Sequence, residues 1–347
     1  MKNITPSLFL TLLGIFPLGC SKSQQNPKTP AVNKVVIAKG ADVSWLSEME
    51  AAGLKFYDSA GNLQDCMVIL RNLGINSVRL RAWVNPANGW NNTTDLVAKA
   101  KRAKLLGMKL MVDFHYSDTW ADPGHQAKPA AWSGLNFNAL QTALYNYTKG
   151  VMDTLKLNGV IPNWVQIGNE TNDGMLWPDG RVSTNQNNFS NFSALVTQGF
   201  NAVKASSDTT KVIVHVSNGY DNGLFRWMFD GLSASGAKFD IIGMSLYPSF
   251  SSNSWSVVNS QCLANMSDMI SRYGKPVMVV EVGMPENDPL TARSFLTDLI
   301  TKTNSIPNKN GLGVFYWEPE CYNNWQGYGL GAFDDSGKPT GALNAFH

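Results

Sequence analysis

Two stretches of this chain share one design. Trp164-Val165-Gln166-Ile167-Gly168-Asn169-Glu170 is a short apolar run that stops at a glycine and delivers Asn169 and Glu170. Pro276-Val277-Met278-Val279-Val280-Glu281-Val282-Gly283 is a second apolar run that carries a glutamate at its end. Each reads as a buried strand. A carboxylate at the mouth of a parallel strand is where barrel enzymes keep their chemistry. Two such strands predict two carboxylates facing each other across one pocket. Like charges held close raise one of the two pKa values, so one group keeps its proton while the other is ionised. A lone Asn-Glu pair reads equally well as the start of a surface loop; the repetition of the design argues against that.

Elements are needed to hold these groups. Apolar runs recur at Val35-Ala41, Ser77-Trp83, Lys109-Phe114, Trp164-Gly168, Lys211-Val216, Ile241-Leu246, Val277-Glu281 and Gly313-Trp317. Helix-like segments separate them, among them Asp65-Leu73, Thr94-Leu106, Leu140-Asn158, Asn188-Ala205, Val257-Tyr273 and Leu290-Thr303. Gly74 and Gly107 supply helix stops. This alternation predicts a single-domain α/β fold, a (β/α)8 TIM barrel over 35–347, with a doubly wound open sheet as the alternative.

The strand ends are polar and aromatic. Asp42 and Ser44-Trp45 follow the first strand. Arg79 and Arg81 are two apart on the second and so share a face; they are expected to meet carboxylates near the barrel mouth, the alternative being solvated edge residues. Trp83 and Asn85 follow. After the third strand comes Asp113-Phe114-His115-Tyr116-Ser117-Asp118-Thr119-Trp120-Ala121-Asp122-Pro123-Gly124-His125, far more polar and aromatic than a connector needs. His115 has no partner histidine at ligand spacing, so a hydrogen-bonding role is expected of it and no metal. The fifth strand supplies His215 and Asn218, the sixth Tyr247, and the eighth Trp317 and Glu318.

Composition bounds the partners. The net charge is +2, which gives no reason to expect nucleic acid. Eleven tryptophans are more than a core needs and leave several for a ligand. Leu8 to Phe16 is an apolar run too short to span a membrane as a helix. With Pro17-Leu18-Gly19-Cys20-Ser21 it resembles a bacterial lipoprotein signal. The expectation is a signal over 1–20, lipidation at Cys20, a polar tether over 21–34, and a membrane anchor on an exported protein, at the outer membrane, cell surface or periplasmic face; an ordinary secretory signal is the alternative. Cys66, Cys262 and Cys321 remain; no metal spacing joins them, Cys66 is expected in the core, and a bridge between two of them is left open.

The run His115-Tyr116-Ser117-Asp118-Thr119-Trp120-Ala121-Asp122-Pro123 resembles the signature of glycoside hydrolase family 53, the endo-β-1,4-galactanases. Gly40-Ala41-Asp42-Val43-Ser44, Val78-Arg79-Leu80-Arg81, Gln166-Ile167-Gly168-Asn169-Glu170 and Met244-Ser245-Leu246-Tyr247-Pro248 are similar to that family too, and the likeness runs from about Lys39 to the C-terminus. The resemblance implies Glu170 as general acid/base and Glu281 as nucleophile of a retaining hydrolase that cuts β-1,4-galactan internally; a monomer is the default expectation for a polymer-cutting barrel with an open cleft. Asp42, Arg79, Trp83, His115, Asp118, Trp120, Asn169, Tyr247 and Trp317 are then the candidate substrate-binding residues. Asn169 would bond the sugar 2-hydroxyl, Tyr247 would orient Glu281, Arg79 would keep it ionised, and Trp317 would form the floor at the cleavage point. Trp90, Trp132, Trp177, Trp255 and Trp325, with Trp83 and Trp120, are further candidates for stacking on sugars. Many family members carry a longer loop after the seventh strand, some with calcium. Here Gly283 to about Pro289 is short, and Glu286 and Asp288 offer too few oxygens for a cage of 6–8, so no cofactor or calcium is expected. A barrel hydrolase of another β-linked glycan, mannan or glucan, is the near alternative. A non-catalytic glycan-binding lipoprotein is the distant one, and it would lack a carboxylate. Glu318 and Glu320 are the reserve candidates for the acid.

Overall fold

The computed structural model describes residues 37–347 and, ahead of them, residues 1–3, 5, 7 and 8. The candidate lipidation residue Cys20 and the proposed tether lie outside the described residues, as does most of the expected signal. Eight strands close into a parallel barrel in which each pairs with its neighbours in chain order. They are β1 (Ala38–Asp42), β2 (Ser77–Ala82), β3 (Lys109–Phe114), β4 (Trp164–Ile167), β5 (Lys211–Val216), β6 (Ile241–Leu246), β7 (Val277–Val282) and β8 (Gly311–Trp317). The expected TIM barrel is therefore the observed fold. The helices are α1 (Leu46–Ala51), α2 (Cys66–Asn72), α3 (Thr93–Leu105), α4 (Phe137–Leu157), α5 (Ser190–Ser206), α6 (Asn222–Ala234), α7 (Trp255–Tyr273) and α8 (Pro289–Ser305). A 3-10 helix, Gly341–Phe346, takes the place of a helix after β8. Among the described residues no helix is long and apolar enough to cross a membrane.

Local chemistry explains the boundaries. Asp65, Asn92, Asn136, Asp221 and Asp288 each accept a backbone N–H in the first turn of α2, α3, α4, α6 and α8, which satisfies a donor the helix itself cannot. The segment of α6 was not among those named from the sequence. It buries Phe225, Met228, Phe229 and Leu232, a helical 3–4 spacing behind the Asp221 cap. Cys66, Cys262 and Cys321 are buried free thiols, which settles the open question of a bridge.

The inside of the barrel has two halves. Its lower half is dry: Ala38, Met111, Trp164, Ile213, Ile241, Met278, Val280 and Phe315 form one apolar cluster. Two residues further along the same strands the inward side chains turn polar, as with Asp113 after Met111, Gln166 after Trp164 and His215 after Ile213. β7 breaks the alternation. Val279 pairs with Met244 and Val314, yet Val282 pairs with Leu246 and Tyr316, so β7 has one more residue than either neighbour across that interval. This bulge brings Glu281 opposite Ser245, although Val280 already faces inward. Bulges beside active sites commonly re-aim a side chain in this way.

Gly40 on β1 pairs with Phe315, and a Cβ there would lie 2.0 Å from the Phe315 ring. Gly40→Ala is expected to overpack the lower barrel and lower stability by about 1–3 kcal/mol. Urea unfolding checks this: the midpoint should fall with the slope unchanged.

Candidate active site

The site begins with a buried ion cluster. Arg79, fully buried on β2, donates through Nη1 to Asp42 Oδ2 at 2.6 Å and through Nη2 to Asp113 Oδ2 at 2.8 Å. Nη2 also lies 2.6 Å from Glu281 Oε1 and 2.9 Å from Asn169 Oδ1, while Nε donates to Gln166 Oε1 at 2.6 Å. Burial weakens the arginine's charge, but Asp113, Glu281 and Asp42 together more than restore it, and the guanidinium stays protonated. The fork of donors on one rigid plane is what allows a single side chain to serve five acceptors. Arg81 ion-pairs with Glu318 at 3.0 Å. Both arginines meet buried carboxylates, as their shared face predicted.

Above this cluster lie the two glutamates. Glu170 follows Gly168, whose φ is +84° and where a Cβ would come within 2.5 Å of Thr171. Glu170 itself has a φ of +44°, in the left-handed region that costs a non-glycine residue free energy. Its carboxylate, that of Glu281 and a ring nitrogen of His215 lie within 4.8 Å of one another. Oxygens this near each other suit the close carboxyl pair of retention, about 5–5.5 Å apart, better than the roughly 6.5–9.5 Å pair of inversion. Burial raises both carboxyls. On Glu281 the Arg79 contact opposes it and the charge of Glu170 adds to it. On Glu170 the 2.6 Å hydrogen bond with Ser245 opposes it, with Arg79 a lesser influence. Glu170 is only half-buried by exposed surface, yet protein crowds its carboxyl on the barrel side, so desolvation still dominates. The direct arginine contact favours the ionised form of Glu281, and Glu170 has no such contact. Tyr247 donates to Glu281 Oε2 at 3.2 Å. Three such ligand atoms have a metal-like spacing, but Arg79 already supplies the cation that Glu281 meets.

The remaining candidates divide by position. Trp83, His115, Trp120, Asn169, Tyr247 and Trp317 line a cleft of about 590 Å³ with the two glutamates. Asn169 has its Oδ1 taken by Arg79 and one N–H on Ala121 O at 2.8 Å, which leaves one amide hydrogen for a ligand. His115 accepts from Trp83 Nε1 at 3.2 Å and from Ala121 N at 3.1 Å, and its Nε2 lies 2.9 Å from Asp113. It is buried and held neutral, its pKa lowered by desolvation. Three expected contact residues lie off the cleft wall. Asp42 and Arg79 are fully buried beneath it. Asp118 ties two loops together, accepting from Asn85 N after β2 and from Ala130 N in its own loop at 2.9 Å each. Glu318 and Glu320 are both fully buried behind the wall, where neither reaches a ligand in the cleft.

The wall opposite the carboxylates is a tryptophan box. Trp45 packs on Trp317 and Trp120 with ring centroids 5.2 and 5.4 Å apart, and Trp317 meets Tyr328 at 4.7 Å. The Arg81 guanidinium backs it, 4.2 Å from the Trp120 ring centre and 5.0 Å from that of Trp83. Trp132 belongs to the core, tilted against Tyr116 and edge-on to Tyr147. Trp90, Trp177, Trp255 and Trp325 do not line the cleft. Sequence reasoning did not assign roles to Trp45, Asp113, Ser245 or Tyr328. Period two would have placed Asp113 inward after Met111 and Ser245 on the side of Tyr247; Tyr328 sits in a loop with no periodic signal. In the loop 283–288 the Asp288 side chain is occupied as the cap of α8, accepting from Thr291 N at 3.1 Å.

A closed parallel barrel with two close carboxylates at its mouth and a tryptophan wall facing them defines a class, the (β/α)8 glycosidases. The chain belongs to glycosyl hydrolase family 53, whose family model matches residues 38–346. It is 38% identical over 308 residues to a probable arabinogalactan endo-beta-1,4-galactanase A of Neosartorya fischeri, covering 82% of this chain and 85% of that one. It is 35% identical over 336 residues to an arabinogalactan endo-beta-1,4-galactanase of Thermothelomyces thermophilus, covering 89% and 98%. A solved structure from a study of two fungal beta-1,4-galactanases superposes with a TM-score of 0.82 at 33% identity, over 89% of this chain and 99% of that one. The family 53 catalytic domain of Ignisphaera aggregans gives 0.82 at 27%, over 92% and 97%.

Arg79→Lys keeps a charge but loses the fork. Arg79 holds the Glu281 carboxyl down, so weakening it raises that carboxyl. The acidic limb of kcat/KM against pH is therefore expected to move to higher pH, with a fall in kcat/KM of at least about tenfold, since one pKa unit is 1.36 kcal/mol. A pH–rate profile checks it.

Proposed function

We propose that this chain is a retaining endo-β-1,4-galactanase that cuts the galactan of type I arabinogalactan in pectin side chains. The observation that carries the reading is the pair Glu170 and Glu281 at retaining separation, in a chain of this family whose relatives bear that activity in their names.

The residues supply each step. Glu170 gives its proton to the glycosidic oxygen as the bond to C1 breaks. Glu281, ionised beside Arg79, attacks C1 and forms a glycosyl ester. Water then attacks C1, its proton passes to Glu170, and the electron pair of the ester bond returns to Glu281. Tyr247 steadies Glu281. The free amide hydrogen of Asn169 is placed to meet the 2-hydroxyl, a contact that strengthens in the transition state. Trp317 and its neighbours offer apolar faces to the sugars. The buried set of Asp42, Asp113 and Arg79 acts on charge and not by touching substrate, and Asp118 holds the β3–α4 loop.

Further parts of this reading rest on sequence. The apolar run and Leu18-Gly19-Cys20 support export and a lipid anchor on Cys20. The short 283–288 loop, with Asp288 engaged as a cap, supports function without calcium. A monomer suits a barrel that works on a polymer. Cys20→Ser is expected to shift the protein from the membrane to the soluble fraction on ultracentrifugation of expressing bacteria; an unchanged distribution counts against lipidation.

Activity on purified polysaccharides tests the main reading. Galactan should be cleaved to oligosaccharides by an internal pattern of scission, with mannan and β-glucan left intact. Glu170→Ala is expected to lose about 10²–10⁴ in rate on galactan while retaining hydrolysis of aryl galactosides whose leaving group needs no proton. Glu170→Ala with the wild-type rate on galactan rules out the assignment.

A further inference from the structure

Ser245 lies between the two glutamates and has no part in the mechanism above. It is fully buried on β6. Its Oγ is 2.6 Å from Glu170 Oε1, 3.5 Å from Glu281 Oε2 and 2.7 Å from His215 Nε2. A serine hydroxyl has one proton to give and two lone pairs to receive. Three neighbours compete for these, so which way the proton points depends on the state of each.

The state of His215 follows from the groups around its other nitrogen. Arg79 Nε donates to Gln166 Oε1 at 2.6 Å, which turns the Gln166 amide nitrogen toward His215 Nδ1 at 2.9 Å. The backbone N–H of Glu170 also points at Nδ1, at 3.3 Å. Both are donors only. Asn169 Oδ1, 3.0 Å away, is an acceptor already serving Arg79. Two donors against one occupied acceptor leave Nδ1 as the bare nitrogen and put the ring proton on Nε2. Burial, with Arg79 next, holds the ring neutral. Nε2–H therefore donates to Ser245, and the serine proton is left for the carboxylates.

We propose that Ser245 is a positioning residue whose hydroxyl proton is donated to whichever of Glu170 and Glu281 is ionised, so that it turns over between them during each double displacement. The proposal rests on the functional reading above. In the resting enzyme Glu170 O–H donates to Oγ and Ser245 O–H donates to the Glu281 carboxylate; with Nε2–H, this fills every site on the hydroxyl. When Glu170 gives its proton to the leaving oxygen and Glu281 becomes an ester, a weaker acceptor, the hydroxyl turns to the Glu170 carboxylate. When water attacks C1, its proton goes to Glu170, the ester C1–O bond breaks with its electrons returning to Glu281, and the hydroxyl turns back. The His215 tautomer never changes. Gln166 and Arg79 thus set the direction of a hydrogen-bond chain that ends on the acid.

Ser245→Ala tests this through its pH profile. A hydrogen bond donated to an ionised carboxylate lowers that group's pKa, so its loss raises it. Both limbs of kcat/KM should move to higher pH. The basic limb, set by Glu170, should move more, by about one pH unit, because its bond is the shorter and charge-assisted. The other charged and titratable groups facing the pair, Arg79, Asp113, Asp42, Asp122, His115 and Tyr247, are unchanged in the variant and cannot mimic the difference. Ser245→Thr, which keeps the hydroxyl, should restore the wild-type limbs. A purely structural role would lower the rate and leave the limbs in place, which overturns the proposal. A second readout needs no variant: 15N NMR of the histidine-labelled wild-type protein should show His215 protonated on Nε2 and bare on Nδ1 throughout the active pH range, and a ring protonated on Nδ1 overturns it. A wild-type protein that cuts galactan while Ser245→Ala leaves the limbs unmoved sinks this inference alone. A wild-type protein inert on galactan sinks the functional reading and this inference together.

Discussion

Everything at the mouth of this barrel depends on one arginine sealed inside it. Arg79 contacts three carboxylates, Asp42, Asp113 and Glu281, within 2.8 Å. In a dry interior none of these acids could ionise alone, and the arginine could not stay charged without them. Such clusters are weak contributors to stability, because desolvation opposes the Coulomb gain. What this one provides is a charge pattern. Arg79 favours the ionised form of Glu281 against the burial that raises its carboxyl, and the negative charge of Asp113 and Asp122 works against ionisation of Glu170. Two glutamates of like chemistry thereby receive opposite tasks from their surroundings.

The barrel makes this possible by being divided along its axis. Phe315, Trp164, Met278 and their neighbours fill the lower half with apolar and aromatic side chains. That plug closes the floor, so water reaches the acids only from the cleft. Above it the strands from β1 to β7 contribute polar side chains, which exchange hydrogen bonds between strands: Arg79 from β2 to Gln166 on β4, His215 from β5 to Ser245 on β6. The tryptophan wall is supported in the same manner, by Arg81 behind the rings and Glu318 behind Arg81. Positions that look solvent-seeking by type are therefore interior supports.

Much of this was legible in the chain. Eight apolar runs separated by helical segments defined the barrel, and two glutamates at strand ends marked the pocket. The two-residue spacing of Arg79 and Arg81 told of buried carboxylates. Other features had no local signature. The bulge in β7 is a mismatch with β6 and β8, so strict alternation would have turned Glu281 outward after Val280. Asp118 sits in the most polar stretch of the chain, yet it serves backbone amides, one in its own loop and one in the loop after β2, a choice made by loop geometry. Asp42 lies one layer too deep for a ligand because β1 pairs with β2 through Arg79. Tyr328 comes to the tryptophan box from a loop after β8 whose path no period describes.

The assignment of roles can be read from the enzyme directly. A 2-deoxy-2-fluoro galactoside with a good leaving group slows both steps and lets the ester accumulate; digestion and mass spectrometry then locate it. The charge pattern set by Arg79 predicts the sugar on Glu281, in a peptide free of Glu170. A sugar found on Glu170, or an inactivated enzyme with no ester, would contradict it.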